Sequence, residues 1–365
     1  MRNGKFHIGS PSITVTKPRV IIPKPTVATV VVPKLVQTVH SIGSMGRLEG
    51  QNSMRQMLQL KIVAFQKKGR PVGHWLFSGP SGLGKTAFAK AFVYDLGVPL
   101  HYILGNRITK WSEIASILKT IQENDVLFID ETHALPSMFQ NNLYDVMVDF
   151  KFNEVTAQGV KEFKLPQFSI FAATTHVGSL NEALRNRFTN SAVMVPYTRL
   201  QLANIIKKAS EKDYKIDLLD DITYKMANLV MGNPRRAEAL LQNLVDVSDA
   251  SDCLIDSKVL NQTLQLMNFD PYLGLDYTTR KYLFALYSNG SMGKTSISNH
   301  INEEEETVEA MERFLWTVLE VEELGIRGPL ITKSSGRKLS DDGKKYIAAI
   351  TKLKSEGWFQ EEVWF

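Results

Sequence analysis

The chain has 365 residues, a formal net charge of +5, 44% hydrophobic and 22% charged side chains. That length exceeds one ordinary core and suits about two or three compact modules, and no run approaches the ~18 apolar residues that span a bilayer, which argues against membrane insertion and for a cytoplasmic protein. A single cysteine, Cys253, excludes an intramolecular disulfide and a cysteine-based zinc site, fits a reducing compartment, and reads as a small packed apolar residue.

Residues 1–44 are rich in Val, Ile and Thr and are broken by Pro11, Pro18, Pro23, Pro25 and Pro33. Proline fixes φ and removes a donor, so this stretch suits an extended arm better than a helix or a central strand. Seven basic side chains and no acidic one lie before Glu49, leaving the rest of the chain net negative. Nucleic-acid binding therefore has to be argued from local patches rather than from whole-chain charge. The arm itself reads as partner-clasping, as nucleic-acid binding or as a targeting presequence, the last disfavoured by the prolines.

From about Gly46 the pattern changes to helices alternating with short apolar strands. A helix is predicted over 50–67, then buried strands at 75–78, 126–129 and 168–173. Continuous apolar strands bounded by helices predict an α/β unit whose parallel sheet is covered on both faces. Between the second and third strands, residues 150–168 alternate about Gly159 and predict a hairpin. Residues 199–267 read as wholly helical, and a smaller helical unit after Pro271 ends in a basic hairpin near 334–338.

The strongest chemical signal is Gly79-Pro-Ser-Gly-Leu-Gly-Lys85-Thr86, the full P-loop spacing between a predicted strand and a predicted helix. Its glycines let backbone N–H groups wrap phosphates at a helix N-terminus. The cradle comprises Gly79, Ser81, Gly82, Leu83, Gly84, Lys85, Thr86 and Ala87, with Lys85 reaching the β and γ oxygens of ATP and Thr86 ligating Mg²⁺. Gly290-Ser-Met-Gly-Lys294-Thr295 has too few residues between its glycines and reads as a turn. Asp130 and Glu131 follow the second predicted strand, where carboxylates face the crevice of an open α/β sheet. Read beside the P-loop, Asp130 holds Mg²⁺ and Glu131 polarises the attacking water; read alone, the pair is a solvated acidic turn. His133, without clustered ligands, reads as a supporting or surface residue.

Leu48-Glu-Gly-Gln51, the P-loop, Asp125-Val-Leu-Phe-Ile-Asp-Glu131, Ala173-Thr174-Thr175, Leu184-Arg-Asn-Arg187-Phe188, Gly232-Asn-Pro-Arg235 and Gly274-Leu-Asp-Tyr-Thr-Thr-Arg280-Lys281 occur in the order of the RuvB-like AAA+ branch-migration ATPases, which the chain resembles over about 45–346. The resemblance implies an AAA+ domain over 45–198, a helical lid over 199–270, a winged-helix DNA-binding domain over 271–353 and a tail over 354–365. It implies that Thr175 is the sensor-1 residue, Arg187 the arginine finger acting on a neighbour's ATP, and Arg235 the sensor-2 residue; Arg185 reads as a supporting or interface arginine. A finger supplied in trans makes hydrolysis depend on assembly, so a ring is implied, and by the resemblance a homo-hexameric one. Departures from the family pattern are Ser81 for a proline, Thr132 and Ala134 around His133, and His176 for an arginine.

In the family the segment at 150–168 engages a RuvA partner, whereas here its sequence differs. At the C-terminal hairpin, Lys333, Arg337 and Lys338, with Lys344 and Lys345 behind, flank a Ser-Ser-Gly turn. This reads as a solvated basic hairpin on charge alone and as the DNA-contacting wing by resemblance. Glu303 to Glu306 read as a helix start. The aromatic tail from Trp358 reads as a docking peptide or as a segment folded back on the winged helix. The resemblance implies an ATP-driven double-stranded-DNA translocase acting on four-way junctions in recombination and repair; the rival readings are a clamp or helicase loader and an inactive structural ring.

Overall fold

The computed structural model describes residues 44–69, 71–156, 159–317, 319–333 and 336–359. The basic arm, the tip of the C-terminal hairpin and the last six residues lie outside them, and with them the expectations placed on those segments.

Helix α1 (Asn52–Lys68) precedes strand β1 (Trp75–Ser78), the P-loop and α2 (Lys85–Leu96); β2 (Leu100–Leu104), α3 (Trp111–Leu118), β3 (Val126–Asp130) and α4 (Ser137–Asp149) follow. After the hairpin β4 (Lys151–Thr156) and β5 (Gly159–Lys164) come β6 (Ser169–Thr174), the short α5 (Glu182–Arg185) and β7 (Asn190–Val193). The main sheet has five strands in the order β2-β3-β6-β1-β7, every pair parallel. Strands β1, β3 and β6 are buried along their whole length, which is why they read as unbroken apolar runs.

Two strands were not legible. Strand β2 alternates between buried and half-buried positions and holds His101, whose Nε2 sits 2.8 Å from Asp125 Oδ2. Strand β7 is a four-residue edge with only Ala192 buried. Neither carries the apolar run that a doubly covered strand needs. The hairpin forms as the alternation predicts, with Thr156 opposite Gly159 at its end. Phe152 and Phe163 stack across it at 5.2 Å, and Glu154 is tied to Lys119 at the end of α3.

His74, at the entrance to β1, is 9% exposed. Its Nδ1 accepts a hydrogen bond from the Ile170 amide at 2.9 Å, and burial lowers the ring's pKa from 6.5 to about 4. Between those values the unfolded chain binds the extra proton. The contribution is therefore complete above pH 6.5 and is lost as pH falls toward 4. Urea unfolding is expected to show stability lower by about 2 kcal/mol at pH 5 than at pH 7 from this group alone. A His74→Gln variant should lack that part of the slope; an unchanged slope would show that the ring is accommodated charged.

Helices α6 (Arg199–Ala209), α7 (Asp220–Leu229), α8 (Pro234–Ser251) and α9 (Ser257–Leu266) form the lid. Their buried stripes, including Ile206, Met226, Leu240, Leu244 and Leu264, join one core with Phe77, Phe88 and Phe92, so the lid closes one side of the P-loop unit. Cys253 does not pack: it is exposed just past α8, where Asp252 in the left-handed region turns the chain outward.

The last unit contains α10 (Tyr277–Asn289), α11 (Lys294–Ile301), α12 (Glu305–Leu315), the antiparallel pair β8 (Ile331–Lys333) and β9 (Arg337–Leu339), and α13 (Asp341–Ser355). This is a winged helix with its own core of Tyr282, Leu286, Ile297, Val308, Ile331 and Tyr346 among others. Of the Gly290–Thr295 stretch, Gly290 to Gly293 form the turn and Lys294 and Thr295 open α11; Glu304 stands at the N-cap of α12, which Glu305 and Glu306 begin.

The joint between lid and winged helix is polar and closed. Buried Asp270 accepts from the amides of Tyr272, Leu273 and Leu275 and from the Tyr346 hydroxyl. Arg280 binds the Asn268 carbonyl at 2.8 Å and stacks over Phe359 at 4.3 Å. Trp358 Nε1 donates to the Phe269 carbonyl at 3.0 Å, so the described start of the aromatic tail folds back on this joint.

Candidate nucleotide site and DNA face

At the C-terminal edge of the sheet the chain leaves β1 through three glycines with positive φ, Gly79, Gly82 and Gly84. A Cβ on Gly79 would stand 2.7 Å from the Met194 carbonyl oxygen, and one on Gly82 would stand 2.3 Å from Asn233 Oδ1. The loop is thus threaded between β7 and the lid, and only glycine passes. Helix α2 starts at Lys85 and aims its N-terminus into the loop, placing unsatisfied N–H groups where phosphate binds. Lys85 is 7% exposed, and its Nζ donates to the carbonyls of Gly79 and Pro80 at 2.8 and 2.9 Å. Burial pulls its pKa below the usual lysine range, against the pull of Glu131 and Asp130.

Thr86 Oγ1 donates to Asp130 Oδ2 at 2.7 Å. With its proton committed there, the threonine keeps its lone pairs for a cation, and the carboxylate completes an oxygen set of the kind Mg²⁺ takes. The residues present therefore fit a magnesium–nucleotide complex. Two groups behind this pair carried no sequence signal. Tyr102 in β2 donates to Asp130 Oδ2 at 3.2 Å, with Lys90 4.4 Å above its ring. Gly105 lies so close to the turn after β3 that a Cβ would stand 2.5 Å from the Glu131 carbonyl oxygen.

Glu131 has φ 51, in the left-handed region. A non-glycine residue held there at the end of a central strand is strained backbone. Its Oε2 is 3.4 Å from His133 Nδ1, and the same nitrogen is 3.1 Å from Thr174 Oγ1. Burial pulls the His133 pKa down, which favours the neutral ring. His133 thus lies behind the acidic pair, and no cluster of metal-ligating side chains occurs among the described residues. Thr175 follows β6, its Oγ1 2.9 Å from His176 Nδ1.

The lid reaches the loop through α8. Asn233 caps that helix by accepting from the Arg235 and Arg236 amides, and its Nδ2 donates to the Ser81 carbonyl at 3.0 Å. Arg235 Nη1 donates to Ser81 Oγ at 3.0 Å. Ser81 thus ties Arg235 to the P-loop, a contact that a proline there could not make. Arg187 is exposed beyond α5. Its guanidinium sits 5.0 Å over the Tyr144 ring, and Nη2 donates to that hydroxyl at 3.2 Å. Arg185, at the end of α5, is half-buried.

At the winged-helix hairpin the three expected basic residues separate. Lys333, 5.6 Å over the Trp316 ring, and Lys338 are exposed. Arg337 is turned inward: Nε and Nη2 donate to the two carboxylate oxygens of Glu312 at 2.7 and 3.1 Å. Glu312 is fully buried and also accepts from Tyr282 Oη at 3.0 Å. Arg337 therefore differs from the two lysines expected beside it to contact DNA, because its Nε and Nη2 are committed to a carboxylate that cannot stay buried without them. Arg337→Ala is expected to lower stability by roughly 3 kcal/mol in urea melts, and Arg337→Lys to recover part of it. A loss under about 0.5 kcal/mol, the range of ordinary surface changes, would contradict this role. Lys344 and Lys345 pair with Asp341 and Asp342 on α13.

A parallel five-stranded sheet with strand order β2-β3-β6-β1-β7, a P-loop after β1, an acidic pair after β3 and a helical lid carrying Arg235 to the loop define an AAA+ P-loop ATPase carrying a C-terminal winged helix. Residues 43–194 match the family model for the Holliday junction DNA helicase RuvB P-loop domain. The chain is 34% identical over 270 residues to the Holliday junction branch migration complex subunit RuvB of Pediococcus pentosaceus, covering 72% of this chain and 80% of that protein. With the Neorickettsia sennetsu subunit it shares 30% over 319 residues, covering 85% and 93%. The solved Thermotoga maritima RuvB Holliday junction branch migration motor superposes with a TM-score of 0.71 at 27% identity, over 84% of this chain and 97% of that one. The chain belongs to the RuvB family.

Proposed function

We propose that this protein is a ring-forming, ATP- and Mg²⁺-dependent translocase on double-stranded DNA that drives branch migration of Holliday junctions in recombination and repair. The observation that carries the reading is the complete P-loop, acidic pair and lid contact in a chain that runs on into a winged helix as its branch-migration relatives do. A bound Mg²⁺ neutralises charge on the β and γ phosphate oxygens. Lys85 and the loop amides orient the phosphates, Thr86 and Asp130 hold the metal, and Glu131 takes the proton of the attacking water. Thr175 senses the γ-phosphate, and Arg235 carries its state into the lid. Arg187 reaches the nucleotide of the next subunit, so that a homo-hexamer is the working unit. In this reading the functional modules are 45–198, 199–270 and 271–353.

Lys333 and Lys338 are the side chains proposed to contact duplex phosphates. The hairpin β4–β5, with Val160 70% exposed, is the proposed seat of a RuvA-like junction-binding protein. No helix among the described residues is long and apolar enough to cross a membrane, and the reading places the protein in the cytoplasm with its DNA. The loader reading finds no support in the winged-helix C-terminus, nor the inactive ring in a site with its acidic pair and Lys85 intact.

The deciding experiment is ATP-dependent migration of a synthetic four-way junction, with and without a RuvA-type protein. Separation into duplex arms is expected, and the motor reading fails if DNA stimulates ATP turnover while junctions never move under either condition.

A further inference from the structure

His176 follows the proposed sensor-1 threonine, and its two ring nitrogens face two different domains. Nδ1 lies 2.9 Å from Thr175 Oγ1. Nε2 lies 2.9 Å from Glu306 Oε2, in the first turn of α12 of the winged helix. A carboxylate only accepts, so Nε2 carries a proton. In the neutral ring Nδ1 is then bare, and Thr175 must donate its hydroxyl proton to it. A hydroxyl has one proton to give. While His176 takes it, Thr175 has lone pairs but no donor to offer a γ-phosphate.

The ring is held in this pose from other sides. The His176 amide donates to Thr174 Oγ1 at 3.0 Å, and the His133 ring packs edge-on at 4.7 Å between centroids, itself beside Glu131. The contact with Glu306 is the replaceable one. Its side chain is 61% exposed and that of His176 35%, so the pair is weak enough for a domain movement to break.

We infer that His176 is a positioning residue for the sensor-1 hydroxyl, and that Glu306, by fixing the tautomer of His176, holds that hydroxyl away from the nucleotide until the winged helix shifts on DNA. This rests on the reading of Thr175 as sensor 1. It makes the DNA-binding domain a brake on hydrolysis in the absence of DNA.

The test is ATP turnover by the full chain without and with linear duplex DNA, for Glu306→Ala, Glu306→Gln and Thr175→Val. Glu306→Ala is expected to raise DNA-free turnover about threefold, the scale an exposed pair can transmit. Its KM for ATP and its DNA-stimulated rate should stay near wild type, so stimulation falls by the same factor. Glu306→Gln keeps a carbonyl acceptor at that position beside an amide that can also donate, so it holds the tautomer less firmly and should fall between wild type and Glu306→Ala, an outcome that mere loss of packing at α12 would not produce. Unchanged or lower DNA-free turnover in Glu306→Ala, or equal behaviour of the Ala and Gln variants, overturns the inference. Thr175→Val should lose turnover in both conditions. If it does so while Glu306→Ala is silent, only the link through His176 fails; if Thr175→Val turns over normally, the sensor-1 reading itself has failed.

Discussion

Arg187→Ala is expected to cut ATP turnover by roughly 10³-fold or more, the scale on which an arginine finger acts, while nucleotide affinity stays close to wild type. The guanidinium is exposed and rests on Tyr144, a cation–π contact that holds it at the surface without burying it. Placed against a neighbour's triphosphate, it meets charge that develops only as the γ-phosphoryl group is transferred, so its loss falls on kcat rather than on binding. Mixing supplies the check. Subunits carrying Arg187→Ala keep a whole P-loop, and subunits carrying Lys85→Ala keep a whole finger. Each should be inactive alone, and turnover should return when the two are combined, at the interfaces where an intact loop meets an intact finger. Absence of recovery in co-assembled rings would remove the claim that Arg187 acts in trans.

Glu131→Gln is expected to bind ATP and Mg²⁺ and to lower steady-state hydrolysis about 10²- to 10⁴-fold, the range for losing a positioned general base. The substitution preserves shape and removes the ability to take a proton. Glu131 sits in the left-handed region at the end of β3, with His133 Nδ1 3.4 Å from its carboxylate, so that strand, turn and ring all fix where that carboxylate stands. Fluorescent-nucleotide binding alongside phosphate release separates the two steps. Wild-type affinity with stalled turnover is the expected pair of results; hydrolysis within about tenfold of wild type would mean that another group activates the water.

Much of this site was legible because its chemistry is local. A P-loop is a run of contiguous backbone, and its spacing already dictates two glycines, a lysine and a hydroxyl at a helix start. Asp130 and Glu131 could be placed because β3 is an unbroken apolar run whose end is unmistakable. Tyr102 was not legible: it lies on β2, a half-buried strand without such a run, and it meets Asp130 only through sheet pairing. Ser81 stood out only as a departure from the family's proline, although its hydroxyl receives Arg235 from a helix some 150 residues later in the chain. Cys253 was misjudged because burial of a small residue depends on where the chain turns after α8.

The basic hairpin shows the same limit in electrostatic form. Lys333, Arg337 and Lys338 are equivalent as formal charges. Folding buries Glu312 beneath one of them, and a buried carboxylate demands the nearest forked donor, so half-buried Arg337 is held inward while the two lysines keep their solvent. By itself the sequence determined the P-loop class and the expectation of a nucleotide site built on it, because those follow from spacing and periodicity along the chain. Only the tertiary structure decided which basic side chains of the hairpin stay exposed and that Glu306 meets His176, because partners distant in sequence are chosen by packing and by the cost of leaving a buried charge unpaired.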